Sequence, residues 1–465
     1  MFVVRCRFAR WSLVYLGLIC ALTVQLGPVA LSAADENGVD LLRGLGVQVE
    51  RYTVVRQRRR LERWRKLHRF PAMSDASPTP QGWYLTLDDR HLDDQGRVKS
   101  GVLKLFSPDE LIQGISVRNT ELSNQGLTAL GRFSALLALD LNGTFIDDVG
   151  LEQFVSWPML REVDLGDTEI TDSGLRHLQR VSHLEVLVLA GGDISDAGLK
   201  HVAECDRLQQ LILTGCTVTR SGIGALAGLS RLDSLGLGET NIGDDDLQGL
   251  SAFSRLRVLD LFGTAAGDRA MGYVRAHGHL VALNLGACEG ISDKGVQQLS
   301  QLSDLRGLLL RKTGFEVEKI TGEGIRHLAR LANLEVLDLH ATQLDDAAAM
   351  HLRGLSHLRD VDLSLTQLTD AGMVALAGLR RLERLSLVYS TGFAGPQITD
   401  RGLVHLSQLS QLRSLNLIGA KITDECLELL VSLKRLETLS LTGTKISDDG
   451  VAQLRRALPD CSIQR

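Results

Sequence analysis

The feature that most constrains this chain is a repeat, L-x-x-L-x-L, that recurs at intervals of 24 residues over most of its length. An early unit begins at Ile112, which makes fourteen units over residues 112–465. The complete motif begins at Leu136, Leu160, Leu184, Leu208, Leu232, Leu256, Leu280, Leu305, Leu334, Leu358, Leu382, Leu412 and Leu436. Regular repetition predicts a solenoid whose stacked turns share one core, so 465 residues need not form several separate domains.

Each unit combines two periodicities. The second half of the motif places leucines at every second residue, which predicts a short strand with one buried face. A helical stretch follows, as at residues 174–181, where Leu175, Leu178 and Val181 share one face. We expect Thr171 or Asp172 to cap that helix. Because neither element can bury its apolar face alone, stacking predicts a parallel sheet on the inside and helices on the outside.

The ninth position of the unit is small and polar. It holds Thr144, Thr168, Thr240, Thr264, Thr313, Thr342, Thr366 and Thr444, and cysteine at Cys216 and Cys288. We expect these side chains to turn inward and their hydroxyl groups to join successive turns by hydrogen bonds. Cysteine would fill the same small space, which predicts buried structural thiols rather than a disulfide framework.

The turn after each strand repeats the pattern I-T-D-x-G-L, as at residues 170–175, 194–199, 398–403 and 446–451. In this pattern the chain resembles the leucine-rich-repeat superfamily, and residues 458–463 resemble the half-strand that often ends such arrays. The resemblance implies an α/β leucine-rich-repeat solenoid, or horseshoe, with a parallel concave sheet and convex helices. The repeats are similar to those of F-box/leucine-rich-repeat substrate receptors and of many bacterial repeat proteins. That fold serves many binding tasks, so function requires a separate argument.

Residues 1–34 are typical of an export signal. Arg5, Arg7 and Arg10 precede an apolar stretch of about 16 residues, and Ser32 and Ala34 supply small residues for cleavage. The stretch is shorter than the roughly 20 residues of a spanning helix. We therefore expect a periplasmic or extracellular protein. The alternative is an uncleaved membrane anchor that leaves the repeats outside.

The segment between the export signal and the repeats is basic. Residues 50–69 contain nine Lys or Arg against two Glu, and residues 35–81 are interpreted as a basic helical segment with a linker. This helix either packs on the first repeats, which we favour, or lies on a membrane surface. Residues 82–111 are interpreted as a divergent N-terminal cap. No convincing F-box precedes the array, and a substrate-receptor subunit of a ubiquitin-ligase-like complex is the second functional hypothesis.

The sequence contains no catalytic motif, and we expect no catalytic residue, cofactor or metal site. The net charge of -5 argues against a nucleic-acid-binding protein. Several histidines recur in one helical slot and are expected on the outer face: His177, His201, His327, His351 and His405. An enzyme with a cryptic metal site near Asp338, His340 and Asp362 is the third hypothesis.

The face of the sheet away from the helices is the predicted binding surface for a protein or peptide. We expect an exposed apolar patch of Val186, Val188, Ile212 and Phe262 there, with Arg311 and His340 further along. Acidic residues are expected to flank it at Asp140, Asp164, Asp260, Asp338 and Asp362. Two longer units insert loops that carry Phe315 and Phe393. The leading hypothesis is an exported, monomeric protein-interaction scaffold.

Overall fold

The computed structural model describes residues 83–104, 112–312, 320–389 and 398–465, together with the backbone of a strand at 48–51. The predicted export signal, most of the basic segment and the loop residues Phe315 and Phe393 lie outside the described residues. Among the helices that can be described, none is both long and apolar enough to cross a membrane.

One sheet runs through the whole described chain, and its strands have three to five residues each. They are β1 (Gln48–Arg51), β2 (Trp83–Thr86), β3 (Ile112–Ser116), β4 (Ala138–Asp140), β5 (Glu162–Asp164), β6 (Val186–Val188), β7 (Gln210–Ile212), β8 (Ser234–Gly236), β9 (Val258–Asp260), β10 (Ala282–Asn284), β11 (Gly307–Leu309), β12 (Val336–Asp338), β13 (Asp360–Asp362), β14 (Arg384–Ser386), β15 (Ser414–Asn416), β16 (Thr438–Ser440) and β17 (Ser462–Gln464). From β2 to β17 each strand pairs in parallel with the next, whereas β1 pairs antiparallel with β2. The predicted parallel sheet and the final half-strand are confirmed.

Short helices connect the strands. The α-helices span Ser100–Lys104, Asn124–Leu130, Asp196–Val202, Arg220–Ala225, Asp268–Val274, Asp293–Leu299, Gly322–Leu328, Asp346–Ala349, Asp400–Leu403, Leu427–Ser432 and Asp448–Ala457. The 3₁₀ helices span Asp89–His91, Gly150–Ser156, Gly174–Arg180, Leu226–Gly228, Asp246–Ala252, Met350–Gly354, Gly372–Ala375, Val404–Leu406 and Asp424–Cys426. The predicted helical stretch is present in each unit, but many copies are the tighter 3₁₀ form that suits one or two turns.

The repeated leucines form one continuous core. In the unit that begins at Leu136, Leu139 and Leu141 are buried together with Leu151 and Phe154 of the following helix. Equivalent residues of every turn join the same cluster, which extends from Leu85 to Ile463. The strand and helix of each unit therefore bury their apolar faces against each other and against the neighbouring turns, as the two periodicities predict.

An aspartate ladder explains the I-T-D-x-G-L turn. The Asp172 carboxylate accepts hydrogen bonds from the amide (2.8 Å) and the hydroxyl (2.5 Å) of Ser195 in the next unit. The Ser195 side chain in turn accepts from the Ala197 amide and caps the next helix. The same two-bond bridge joins Asp148 to Thr171, Asp196 to Thr219, Asp268 to Ser292, Asp293 to Thr321, Asp346 to Thr369, Asp370 to Thr399, Asp400 to Thr423 and Asp424 to Ser447.

The ladder requires the glycine of the pattern. A Cβ atom added at Gly198 would overlap Oδ1 of Asp172, because that carboxylate crosses the start of the next helix. Of the two caps predicted for the helix at Gly174–Arg180, Thr171 accepts a hydrogen bond from the Ser173 amide (3.3 Å), as Ser195 does from the Ala197 amide in the next unit. Asp172 instead contacts the following unit, a role that only the stacking of turns creates.

The eighth position of the unit turns the chain through a left-handed backbone conformation. Glycine occupies it in several units, as at Gly191 with φ +72°. Other units place a side chain there, as at Ala287 with φ +56°. Left-handed backbone is unfavourable for residues with a Cβ atom, so these units carry local strain.

Among the described residues the ninth position is buried or half-buried, but its hydrogen bonds differ from the prediction. The threonine hydroxyls donate within their own turn, as from Thr144 to the Leu141 carbonyl at 2.6 Å. The cysteines reach back to the preceding unit instead: Cys216 donates to the Leu189 carbonyl and Cys288 to the Leu261 carbonyl. The carbon–sulfur bond of cysteine is longer than the carbon–oxygen bond of threonine, so the thiol can reach a carbonyl oxygen in the neighbouring turn. All five cysteines in the described chain are buried free thiols.

Candidate functional site

The inner sheet face, which is the side of the sheet away from the helices, is organised in columns. Parallel pairing in register places equal positions of successive units side by side, as in Val188, Ile212, Gly236 and Asp260. Neighbouring strands lie about 4.8 Å apart. The third, fifth and seventh positions of each unit therefore form three columns along the solenoid.

The acidic residues of the fifth column help to end the strands. Each accepts a hydrogen bond from the amide two residues ahead, as from Asn142 to Asp140 (3.2 Å) and from Phe262 to Asp260 (3.0 Å). Asp164, Asp338 and Asp362 do the same for Gly166, His340 and Ser364. Asp164 is half-buried and the other four are buried. The acidic residues expected to flank the binding face are thus largely covered, because each serves a turn of its own chain.

The predicted exposed apolar patch is also only partly present. Val186 and Val188 are each 8% exposed, because side chains on strands this close cover one another. Ile212 and Phe262 are half-buried and remain accessible. A second apolar cluster, missed by the sequence analysis, joins Val258, Ala282, Leu309 and Val336 apart from the main core. In the sequence, Val258, Ala282 and Val336 share the third column, and Leu309 lies in the fifth column of the unit between the last two.

The accessible side chains of the inner face lie mainly in the seventh column, at the carboxyl ends of the strands. Phe262, Arg311 and His340 occupy this column and are all partly exposed. Gly286 stands between the units of Phe262 and Arg311. A Cβ atom there would lie 2.8 Å from Arg311 Cγ and 2.9 Å from Phe262 Cδ2, so both side chains lean over the glycine. These residues form what we call the Phe262–Arg311 site.

Buried acids lie beside Arg311 and His340 of this site. Arg311 Nε lies 3.6 Å from Asp338 Oδ2, and His340 Nδ1 lies 3.9 Å from Asp362 Oδ1. The Arg311 side chain keeps 40% of its surface exposed. The guanidinium therefore has a fixed direction and still presents hydrogen-bond donors to solvent, where a ligand carboxylate or carbonyl could accept them.

Asp260 gives the same region an unusual electrostatic property. Burial raises the pKa of this carboxyl to about 6, although hydrogen bonds from the Phe262 amide and the Asn284 side chain (2.5 Å) favour ionisation. The charge of Glu239 adds to the increase in pKa. Asp260 thus changes its charge in the physiological pH range beneath the accessible Phe262.

The described residues do not assemble a metal centre: no three His, Cys, Asp or Glu side chains among them are placed to hold an ion. The hypothesis of a metal enzyme near Asp338, His340 and Asp362 thus gains no support. Burial raises the pKa of Cys216 to about 12 and that of Cys288 to about 11, so these thiols stay protonated and weakly nucleophilic.

One histidine prediction is wrong. His177, expected on the outer face with its repeated counterparts, is buried, and burial lowers its pKa with help from Arg180 and Arg176. His201, His327 and His405 are half-buried, and His351 is exposed. The helical slot therefore differs from unit to unit, because the neighbouring side chains that cover it are not repeated.

Comparison with known proteins matches five segments of the array to leucine-rich repeats. The family model described as Leucine Rich repeat matches residues 158–178, 182–203, 278–300, 354–377 and 434–454. An internalin from Listeria monocytogenes is similar at 22% identity and a TM-score of 0.44, over 75% of this chain and 85% of that one. A leucine-rich-repeat protein from Leptospira interrogans is similar at 18% identity and a TM-score of 0.48, over 82% of this chain and 95% of that one. No curated protein sequence matches the chain.

Proposed function

Because the chain is a leucine-rich-repeat protein, we propose that it is an interaction scaffold that binds a protein or peptide at the Phe262–Arg311 site. A solenoid of this kind presents a long continuous sheet face, and such a face suits an extended partner. The proposal includes export through residues 1–34, which the basic start and the apolar stretch of that segment support, and a monomeric state. Neither a catalytic activity nor a nucleic-acid ligand is part of the proposal.

The observation that carries the proposal is the pairing of an aromatic ring with an arginine over Gly286. Gly238 and Gly286 occupy the seventh column on either side of Phe262, so neither adjacent turn places a side chain beside the ring in that column. Aromatic and arginine side chains dominate binding energy in protein interfaces, whereas most surrounding contacts contribute little. Ile212 on one side and His340 on the other extend the accessible surface along the sheet.

The remaining predicted contact residues have a supporting role in this proposal. Val186 and Val188 are buried and shape the floor of the face. The acids of the fifth column, which are Asp140, Asp164, Asp260, Asp338 and Asp362, hold the turns that carry the seventh column. We further propose that Phe315 and Phe393 contribute contacts, since their loops follow the carboxyl ends of β11 and β14 in sequence.

Affinity capture with the full chain tests the proposal. The bait is compared with a Phe262→Ala/Arg311→Ala variant, and captured proteins are identified by mass spectrometry from cells that produce the protein naturally. We expect the double variant to lose the specific partner, because truncation of an interface hot spot weakens binding by about 2 kcal/mol or more. Both residues are partly exposed, so the fold should remain intact.

A matched control uses the same column at distant turns. Arg118→Ala and Val388→Ala remove an arginine and an apolar residue that also occupy the seventh position and are half-buried. This control should retain the partner. Equal capture by the Phe262/Arg311 variant and the wild-type chain, with unchanged circular dichroism, would contradict the proposed site.

A further inference from the structure

The opposite edge of the sheet, where the strands begin, carries a ladder of alternating charge. Residues at the second position of successive units form ion pairs: Arg306 pairs with Glu335 (3.3 Å), and Arg359 pairs with Glu383 (2.8 Å). Arg413 pairs with Glu437 in the same way, and Arg161 pairs with Glu185 nearer the start of the array. Along most of this edge each arginine thus has a carboxylate in the neighbouring turn.

Three successive turns depart from this pairing. Arg231, Arg255, Arg257 and Arg275 are exposed, and none of them takes part in an ion pair within the described part of the chain. We call these four residues the edge arginine patch. Arg231 and Arg255 each precede by three residues the paired Ser234 and Val258, so they occupy one column just before the neighbouring strands β8 and β9. Strand spacing therefore places their backbones about 4.8 Å apart.

The surroundings of the patch leave these arginines accessible. Gly228 and Ala252 end the preceding helices, and the loops contain Ser230, Ser254 and Gly278; the small side chains of these residues cannot cover the guanidinium groups. Asp233 is the one acid within residues 228–234, 252–258 and 275–281, which form this edge, and it is half-buried. Four exposed positive charges thus face a single half-buried carboxylate.

Acidic residues limit the patch on both sides. Glu204 and Asp206 are exposed in the loop that precedes Arg231 by one turn, where Arg207 of the same column lies 3.0 Å from His183 Nδ1. On the other side His279 Nδ1 lies 3.2 Å from Asp304 Oδ2. The positive surface therefore spans about three turns, on the order of 15 Å at the strand spacing.

We propose that the edge arginine patch binds a short acidic segment of a partner protein. The planar guanidinium donates two parallel hydrogen bonds to a carboxylate, and unpaired arginines on an exposed surface are free to do so. An extended peptide repeats its same-side residues about every 7 Å, so roughly 15 Å accommodates two or three acidic side chains.

The chemistry of the patch favours a peptide over other anions. Single-stranded nucleic acid binds where aromatic side chains interleave with cations, and the patch contains no aromatic residue. A long polyanion would run into the acidic flanks and the overall charge of -5. This surface is separate from the Phe262–Arg311 site on the inner sheet face, so the two proposals stand or fall independently.

Binding of a fluorescent decamer of glutamate to the full chain, measured by fluorescence anisotropy at low and at physiological salt, tests the inference. A variant with Arg231→Gln, Arg255→Gln and Arg257→Gln should bind at least about tenfold more weakly at low salt, since several charge-assisted contacts are removed together. The control Arg306→Gln/Arg359→Gln/Arg413→Gln removes three arginines that already have partners, and should bind within about twofold of wild type.

Competition identifies the kind of anion. An oligothymidine decamer, heparin and vesicles of phosphatidylserine with phosphatidylcholine are tested at equal charge against the bound glutamate decamer. The inference holds if the peptide is retained, and it is overturned if any of these displaces the peptide at lower charge concentration. Equal losses in the patch variant and in the control would overturn it too. So would loss of peptide binding in the Phe262→Ala/Arg311→Ala variant with full binding in the patch variant.

Discussion

Replacement of Asp260 by asparagine should make the protein more stable at neutral pH. The side chain is 6% exposed, and its Oδ1 accepts hydrogen bonds from the Phe262 amide and the Asn284 side chain. An asparagine Oδ1 accepts the same two bonds in nearly the same shape. The substitution therefore removes the buried charge and keeps the geometry of the turn.

The size of the effect follows from the pKa. In the folded protein the pKa of Asp260 is raised from 3.8 to about 6, so the folded state holds the proton more tightly than the unfolded chain does. This contribution to stability is complete below pH 3.8 and is lost as the pH rises through about 6. A change of about 2 in pKa at roughly 1.4 kcal/mol each amounts to about 3 kcal/mol.

Urea unfolding of both proteins from pH 4 to pH 8 measures this directly. We expect the free energy of unfolding of Asp260→Asn, relative to that of the wild type, to increase by about 3 kcal/mol between pH 4 and pH 7. All other groups titrate in both proteins, so the difference isolates residue 260. Asp164→Asn, at the same repeat position but half-buried, controls for the loss of one negative charge. Parallel pH profiles of Asp260→Asn and wild type would refute the reasoning.

Further predictions concern the turns and the core, each read from thermal or urea unfolding. Asp172→Ala should cost about 1–3 kcal/mol by leaving the Ser195 amide and hydroxyl without their acceptor, and a cost below about 0.5 kcal/mol would contradict the ladder. Gly198→Ala should destabilise the wild type more than it destabilises Asp172→Ala, because its Cβ meets that carboxylate. Ala287→Gly should raise the free energy of unfolding by about 1 kcal/mol by relieving φ +56°; no gain would argue against strain there. Burial lowers the pKa of His277, so its stability contribution is present above pH 6.5 and lost as the pH falls; His277→Leu should reduce this acid sensitivity, whereas the exposed His279→Leu should not.

The positions that sequence reasoning placed well are those where period and chemistry agree. Leu136, Leu139 and Leu141 were expected in the core from spacing alone, and they are buried there. The sequence showed that glycine and aspartate recur in the turn, but not why they recur. The reason is a contact between units: the aspartate carboxylate of one unit lies against the helix start of the next, as Asp172 does at Ser195 and Gly198.

The candidate site was predicted less well. The fifth column was read as a binding surface, yet Asp140 and Val188 are buried, because the sequence shows which face a residue points to and not how far its neighbours cover it. The seventh column contains both Gly286 and Phe262, and only their adjacency across units makes Phe262 accessible. The edge arginine patch was not anticipated, since an unpaired arginine is defined by the turns on either side of it.

By itself, the sequence determined the solenoid. A leucine period of 24 residues with a strand half and a helical half admits one stacked arrangement that buries both apolar faces. Tertiary structure alone decided which polar residues serve the fold and which face a partner. Both depend on contacts between residues about 24 positions apart, such as Asp172 with Ser195 and Asn284 with Asp260. Parallel stacking brings those residues within hydrogen-bond distance, and the pattern within one unit cannot reveal it.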